Sequence, residues 1–422
     1  MLERLEQHGW EIRAGAEIAP GSGERQNWEE LILQETLIAS LVRFNPDVPQ
    51  NYLRQAMAEV NAPQSQDPLA ENHRIHRILV DGYKGVSYTD PDGVLQNPTI
   101  RFLSANPEHN VFHAINQVTV RSREHERRFD VVLYVNGMPL SFVEVKRGGD
   151  DTADASVAYD QLRVYLRELP LAFRYSVFVL ATDDADAQYG TIFTPWNHFA
   201  PWNVDDDGRP IDPSELVIDG IPTSALDLAV DGLYNQERLL QLIRDFTAFD
   251  STEEGLTKRI AKPHQYFAVA KAVGCTLRAV EGNGRIGVVW HTQGSGKSME
   301  MELYAAKVMR DPRLKNPTIL VLTDRTELDT QLFETFAAST LLPEDPKNMG
   351  SRAELREALS QAASGGILFS TLHKFGLTQE EREAKRDHPV LSERSNIIVM
   401  VDEAHRSHYD DLDGFAAHLK NA

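Results

Sequence analysis

The sequence predicts an α/β protein in two parts: a mixed sheet with flanking helices, then a doubly wound parallel sheet that carries a phosphate loop. Three observations predict it. Between about residues 77 and 180 short β-rich runs dominate around one helical window at 153–169. From Leu256 onward, apolar runs at 286–289, 318–322, 367–369 and 397–401 alternate with helix-compatible windows, the pattern of a parallel sheet. A glycine-rich, lysine-containing turn follows directly on the first of those runs.

Taken in chain order, the elements begin with residues 28–42. Trp28, Leu31, Ile32, Ile38, Leu41 and Val42 recur at helical spacing after the turn-rich residues 20–23, which predicts a helix. The β-rich first part closes near residue 182. Residues 183–255 read as an acidic, irregular connection or insertion ending in a linking helix, because Pro, Gly, Trp and Asp break any period there. Residues 256–422 form the parallel-sheet part.

The chain's 422 residues, 41% hydrophobic and 25% charged, match ordinary globular usage and exclude disordered and fibrous classes. Cys275 is the only cysteine, so a disulfide framework and a cysteine zinc site are excluded, which suits a reducing cytoplasm. The charged N-terminus lacks the apolar run of a signal peptide, and no stretch is long and apolar enough for a membrane span. A formal charge of −20 argues at first against a nucleic-acid partner. Its distribution weakens that inference: between Asp183 and Asp219 nine acidic residues face Arg209 alone, whereas Arg121, Arg123, Arg127 and Arg128 cluster elsewhere.

Two constellations carry chemistry. In the first, Asp130 opens an apolar run, Asn136-Gly137 is a hairpin signal, and a second apolar run returns to Glu144-Val-Lys146. A short turn there sets Asp130 opposite residue 143, 144 or 145, and period-two alternation puts Glu144 and Lys146 on one face. Two carboxylates and an ammonium then converge, a set suited to magnesium and to activation of water at a phosphate. On the next helix Gln161 and Tyr165 stand four residues apart and share a face; Tyr165 also fits a core stripe with Ala158, Leu162 and Leu169.

The second constellation is His291-Thr292-Gln293-Gly294-Ser295-Gly296-Lys297-Ser298. Gly294 and Gly296 let backbone N–H groups curl around an anion, Lys297 reaches the phosphates, and Ser298 can hold magnesium. His291 stands where the strict pattern has glycine. Downstream, the run ending at Val401 delivers Asp402 and Glu403 at a strand's C-terminal end, where open α/β sheets bind ligands. Asp402 suits the metal and Glu403 the attacking water.

The second set resembles superfamily 2 helicases and translocases of the DEAH-box type. The resemblance implies a RecA-like domain, an adenine-reading role for Gln265, and a nucleic-acid groove lined by Thr323 to Gln331 and by Ser370 to Phe375. The first set resembles PD-(D/E)xK nucleases with the Gln-x-x-x-Tyr extension of RecB-like enzymes, with Phe129 in place of the usual proline. A glutamate on an early helix often completes such sites; Glu30 is the candidate and Glu35 its rival. Both sets in this order resemble the R (restriction and motor) subunit of type I restriction enzymes. That implies ATP and Mg2+ as cofactors and double-stranded DNA as substrate. It also implies a modification (methyltransferase) subunit and a specificity subunit as partners, in the cytoplasm. Against that family the chain reads as an N-terminal fragment, since the residues from Leu256 onward suffice for one RecA-like domain and not two. Two other readings stay open: a RecB-like repair or phage-defence helicase-nuclease, and a catalytically idle DNA- or ATP-binding module of a larger complex.

Overall fold

The computed structural model describes residues 1–146, 154–212, 217–218, 221–292, 294–323, 326–361, 364–384 and 388–402. It divides into two compact units: Met1–Phe249 with Gly255–Pro263, and Asp250–Glu254 with His264–Ala422.

The first unit is built on a seven-stranded mixed sheet. In spatial order its strands are Glu11–Ala14, Phe112–Arg121, Glu126–Val135, Met138–Val145, Phe178–Thr182, Ala187–Gly190 and Ala200–Pro201. Phe112–Arg121, Glu126–Val135 and Met138–Val145 form an antiparallel meander. The chain then crosses through the helix Ala155–Glu168 to bring Phe178–Thr182 in parallel to Met138–Val145. Asp154 starts that helix by accepting from the N–H groups of Ser156 and Val157. Its apolar face closes over Phe129, Phe142 and Phe173, whose rings meet at 4.9–5.7 Å. Burying each such ring stabilises the unit by about 1.5–3 kcal/mol.

Two expectations change here. The helix expected at 28–42 begins only at Gln34 and runs to Phe44. Asn27 Oδ1 accepts from the N–H groups of Glu29 and Glu30, a local turn that competes with helix. The buried guanidinium of Arg25 meanwhile donates to the carbonyls of Trp28, Glu30 and Thr119. The apolar residues Leu31 and Leu33 are therefore buried from an irregular segment.

Residues 183–249, expected as part of a connection, belong to the first unit. They supply the last two strands and the helices Ala225–Leu233 and Gln236–Asp245. Asp184, Asp206, Asp207 and Asp212 are exposed while aromatics pack: Trp202 is buried so closely against Gly232 that an added Cβ would sit 2.0 Å from its ring. Residues 255–263 are fastened to the same unit by Lys258, fully buried, whose ammonium donates to Asn72 Oδ1 at 2.8 Å and to the Ser176 carbonyl at 2.6 Å. Burial pushes that amine well below its ordinary pKa.

In the second unit four parallel strands lie in the order Pro346–Asn348, Ile367–Thr371, Thr318–Thr323, Ile397–Val401. Three were expected; Pro346–Asn348 is too short to carry a sequence signal. The run at 286–289 is not a strand. Val288 and Val289 are 84% and 49% exposed. An apolar run becomes a strand only where a neighbour accepts its backbone hydrogen bonds, and among the described residues no ladder reaches this one.

Candidate functional site

The hairpin Glu126–Val145 turns through Asn136 and Gly137, both in the left-handed region (φ 54° and 81°), as a two-residue turn matching the strands' twist requires. Asn136 is fully buried. Its Oδ1 accepts from the Val111 N–H, and its amide donates to the Phe102 carbonyl and to Asn110 Oδ1. The turn pairs Val135 with Met138 and Tyr134 with Pro139; a one-residue register shift between Leu133 and Tyr134 then sets Val131 opposite Val143, which brings Asp130 level with Glu144 rather than Val143.

The structure brings the whole predicted set together. Lys146 Nζ donates to Glu144 Oε1 at 3.0 Å and to Gln161 Oε1, and Gln161 Nε2 donates to the Tyr165 hydroxyl. Val145 N–H donates to Asp130 Oδ2 at 3.0 Å. Tyr165 plays both roles considered for it, packing edge-on against Phe129 at 5.2 Å while its hydroxyl closes the polar chain. Glu144 is 1% exposed, and its Oε2 is buried with no hydrogen-bond partner. Burial, and then the charge of Asp130, push its carboxyl up to about 7 despite Lys146. An orphaned carboxylate oxygen facing a second carboxylate fits a divalent cation, which takes oxygen ligands and offsets both charges.

Glu30 and Glu35 are not drawn to this pair. Glu30 accepts from Gln34 at 2.9 Å and from Asn61 at 2.6 Å, and Glu35 is exposed on the helix Gln34–Phe44. Within the arginine cluster, Arg121 pairs with Glu126 and Arg127 with Glu168, while Arg123 and Arg128 are exposed.

In the second unit the phosphate loop ends at Gly296, which caps the helix Lys297–Arg310. Gly294 and Gly296 have φ of 80° and 86°, and no side chain caps the helix, so its first N–H groups remain for an anion. Lys297 and Ser298 occupy the first turn; Thr292 is exposed, and Gln293 lies outside the described residues. Gln265 is buried and donates to the Ser295 and Gly296 carbonyls at 3.2 and 3.4 Å, so it braces the loop's backbone directly. Asp402 follows its strand and donates its N–H to the Leu322 carbonyl, at the C-terminal end of the sheet as expected. Glu403, Asp324 and Arg325 lie outside the described residues. Lys374 donates to the Met349 carbonyl.

Sequence reasoning missed three side chains here. His291 Nδ1 and Glu300 Oε1, the latter on the helix that follows the loop, lie 2.6 Å apart, and the His264 ring stands edge-on to His291 at 5.3 Å. His264 Nε2 also contacts the Ser295 carbonyl at 2.9 Å. One ligand-type atom from each of the three lies within 4.8 Å of the others, but these contacts engage them with protein partners and tie the loop to two helices. The departure at His291 was the available signal: a side chain where glycine is usual needs a partner. Gln117, whose amide nitrogen lies 3.5 Å from Asp130 Oδ1, carried no signal at all.

Residues 1–198 match the family described as type I restriction enzyme R protein N terminus, and residues 264–422 match the SWI2/SNF2 ATPase family. The chain is 36% identical to the HindI type I restriction enzyme endonuclease subunit of Haemophilus influenzae, over 100% of this chain and 40% of that protein. It is 30% identical to a putative type I restriction enzyme endonuclease subunit, MjaIXP, of Methanocaldococcus jannaschii, over 97% of this chain and 40% of that protein. A Staphylococcus aureus type I endonuclease subunit matches 74% of the chain at 24% identity. The chain thus spans about two fifths of the length of the first two relatives. With the convergent carboxylates in the region matched by one family and the phosphate loop in the region matched by the other, the chain belongs to the endonuclease subunits of type I restriction enzymes.

Proposed function

We propose that the chain carries the nuclease and the first motor domain of an ATP- and Mg2+-dependent type I restriction endonuclease. The whole enzyme works in the cytoplasm with modification and specificity subunits and cleaves unmodified double-stranded DNA. The first unit acts as a PD-(D/E)xK nuclease and the second as a RecA-like motor domain. The observation that carries this reading is the convergence of Asp130, Glu144 and Lys146 around an unpartnered, buried carboxylate oxygen.

In this reading Asp130 and Glu144 hold a magnesium ion, which when bound offsets charge on the phosphate and lowers the pKa of a water. Glu144 supplies its ligand oxygen from a buried strand, so its position is set by the sheet. Lys146 holds its ammonium beside Glu144 and is steered from the other side by Gln161, so it can orient a water or offset charge developing on phosphate. Tyr165 fixes Gln161 in turn. In the motor, Lys297 and the N–H groups of Gly294 to Ser298 bind phosphates, Ser298 and Asp402 take the nucleotide's magnesium, and Glu403 aligns water. Gln265, on the loop's carbonyls, couples adenine recognition to the loop's shape.

In the complete enzyme, Glu144→Ala is expected to abolish cleavage while ATP-driven translocation, followed by triplex displacement, continues. Loss of both would mean that Glu144 holds the fold and would sink the assignment.

A further inference from the structure

Gln117 departs from the conformation of its strand. It lies within Phe112–Arg121, yet its φ is 55°, the left-handed region that a non-glycine residue enters only when its surroundings over-determine it. The pairing on either side is continuous: Asn116 opposes Val131 and Val118 opposes Phe129, with no residue inserted. The kink therefore re-aims one side chain without slipping the register. The residue it re-aims is level with Asp130, on the same face of the sheet.

The kink is held from outside the meander. Ala14 pairs with Asn116 at the end of the first strand, and the chain then enters the short turn Gly15–Ile18 directly over Gln117. A Cβ on Gly15 would sit 2.2 Å from the Gln117 carbonyl oxygen and 2.7 Å from its carbon, so only glycine allows this approach. The carboxylate of Asp130 consequently meets two donors. Val145 N–H holds Oδ2 at 3.0 Å, and the Gln117 amide reaches Oδ1 at 3.5 Å, a span of the kind that shortens when a site is loaded. With one donor on each oxygen the carboxylate cannot rotate freely, and its remaining lone pairs are left for the cation shared with Glu144.

We propose that Gln117 is a positioning residue of the nuclease site: it fixes the plane of the Asp130 carboxylate for metal binding, with Gly15 holding the kink that aims it. The proposal rests on the nuclease reading above. Manganese is the probe, titrated into the nucleotide-free chain and followed by electron paramagnetic resonance. The telling variant is Gln117→Gly, which relaxes the backbone and removes the amide. It is expected to melt no lower than the parent, yet to bind Mn2+ about tenfold more weakly at the site that Asp130→Ala eliminates, as loss of an outer partner does elsewhere. In the complete enzyme the same variant should raise the Mg2+ concentration for half-maximal cleavage by a similar factor. At saturating Mg2+ its rate should return to within about threefold of the parent, a split that a merely structural role does not produce. An unchanged Mn2+ isotherm for Gln117→Gly, with binding lost in Asp130→Ala, overturns the positioning role and leaves the nuclease reading standing. An isotherm unmoved by Asp130→Ala overturns both.

Discussion

The carboxylate hairpin and the glycine-rich loop, which the proposed function gives the same task of holding charged groups for a phosphate and a metal, are built by opposite means. In the hairpin a buried two-residue turn and a one-residue register shift set the pairing, and each functional side chain has a partner nearby: Asp130 the Val145 N–H, Glu144 the Lys146 ammonium, Lys146 the Gln161 amide, Gln161 the Tyr165 hydroxyl. The phosphate loop is preceded by an apolar run that lies outside any sheet, and its shape rests on two glycines, Gln265 and the His264–His291–Glu300 contacts. Local antiparallel pairing makes a site self-supporting. A loop at the end of a parallel strand borrows its order from elements distant in sequence.

The contrast is sharpest in a pair of lysines. Lys146→Ala is expected to slow DNA cleavage in the complete enzyme on the order of 10²- to 10³-fold while ATP hydrolysis stays within twofold, because it offsets charge only at the cleaved phosphate. Lys297→Ala should lower both, since in the proposed function cleavage follows translocation. Plasmid cleavage and phosphate release measured on the same preparations decide it, and equal loss of both activities in Lys146→Ala would erase the distinction.

A second difference lies in the buried carboxyl that the hairpin stores. Glu144 titrates near 7 in the folded chain, against an ordinary value of 4.5. Below the ordinary range it is neutral folded or unfolded; between the two values the unfolded chain releases its proton while the folded chain keeps it. Stability of metal-free protein must therefore fall as pH rises through this window, by up to about 3 kcal/mol, and level off above it. Denaturant midpoints in chelator at pH 5 and pH 8 measure the loss; Glu144→Gln should remove the slope, and Mg2+ should restore stability at pH 8. A flat profile in the parent would mean that water or a counter-ion already serves this carboxylate.

The loop's dependence on glycine can be graded. An added Cβ on Gly296 would lie 2.4 Å from Gln265 Nε2 and also demands positive φ, whereas at Gly294 nothing lies within 4 Å and only the backbone term applies. Gly294→Ala should cost about 1–2 kcal/mol, the left-handed penalty alone. Gly296→Ala should cost more and weaken nucleotide binding further. Thermal shifts with and without ATP–Mg2+ separate them, and equal effects would mean that Gln265 yields freely.

What the sequence made legible divides along the same line. Asp130, Glu144, Lys146, Gln161 and Tyr165 were readable because a turn signal, a period of two and a spacing of four are local rules, and the structure joins all five. The start of the helix Gln34–Phe44 was not, because a buried arginine satisfies three carbonyls upstream from a position no periodicity marks. Residues 183–249 read as a connection because the part before residue 225 buries its aromatics from short strands and turns, Trp202 against Gly232 and Tyr189, and the Tyr189 hydroxyl on the Ala261 carbonyl, without a periodic run long enough to mark an element. The kink at Gln117 depends on Gly15, a hundred residues earlier in the chain; nothing near either residue announces the other.

The buried turn at Asn136-Gly137 also bears on how the protein ages. Asn-Gly pairs lose their side-chain amide when the following backbone nitrogen attacks it, a reaction that needs the side chain to swing freely. At Asn136 the amide is fully buried and engaged with Val111, Phe102 and Asn110, so the reaction must wait for the hairpin to open. The other Asn-Gly pair, Asn283-Gly284, is exposed. On storage the mass shift of deamidation should accumulate first at residue 283, and its slow appearance at 136 records, molecule by molecule, how often the hairpin has come undone.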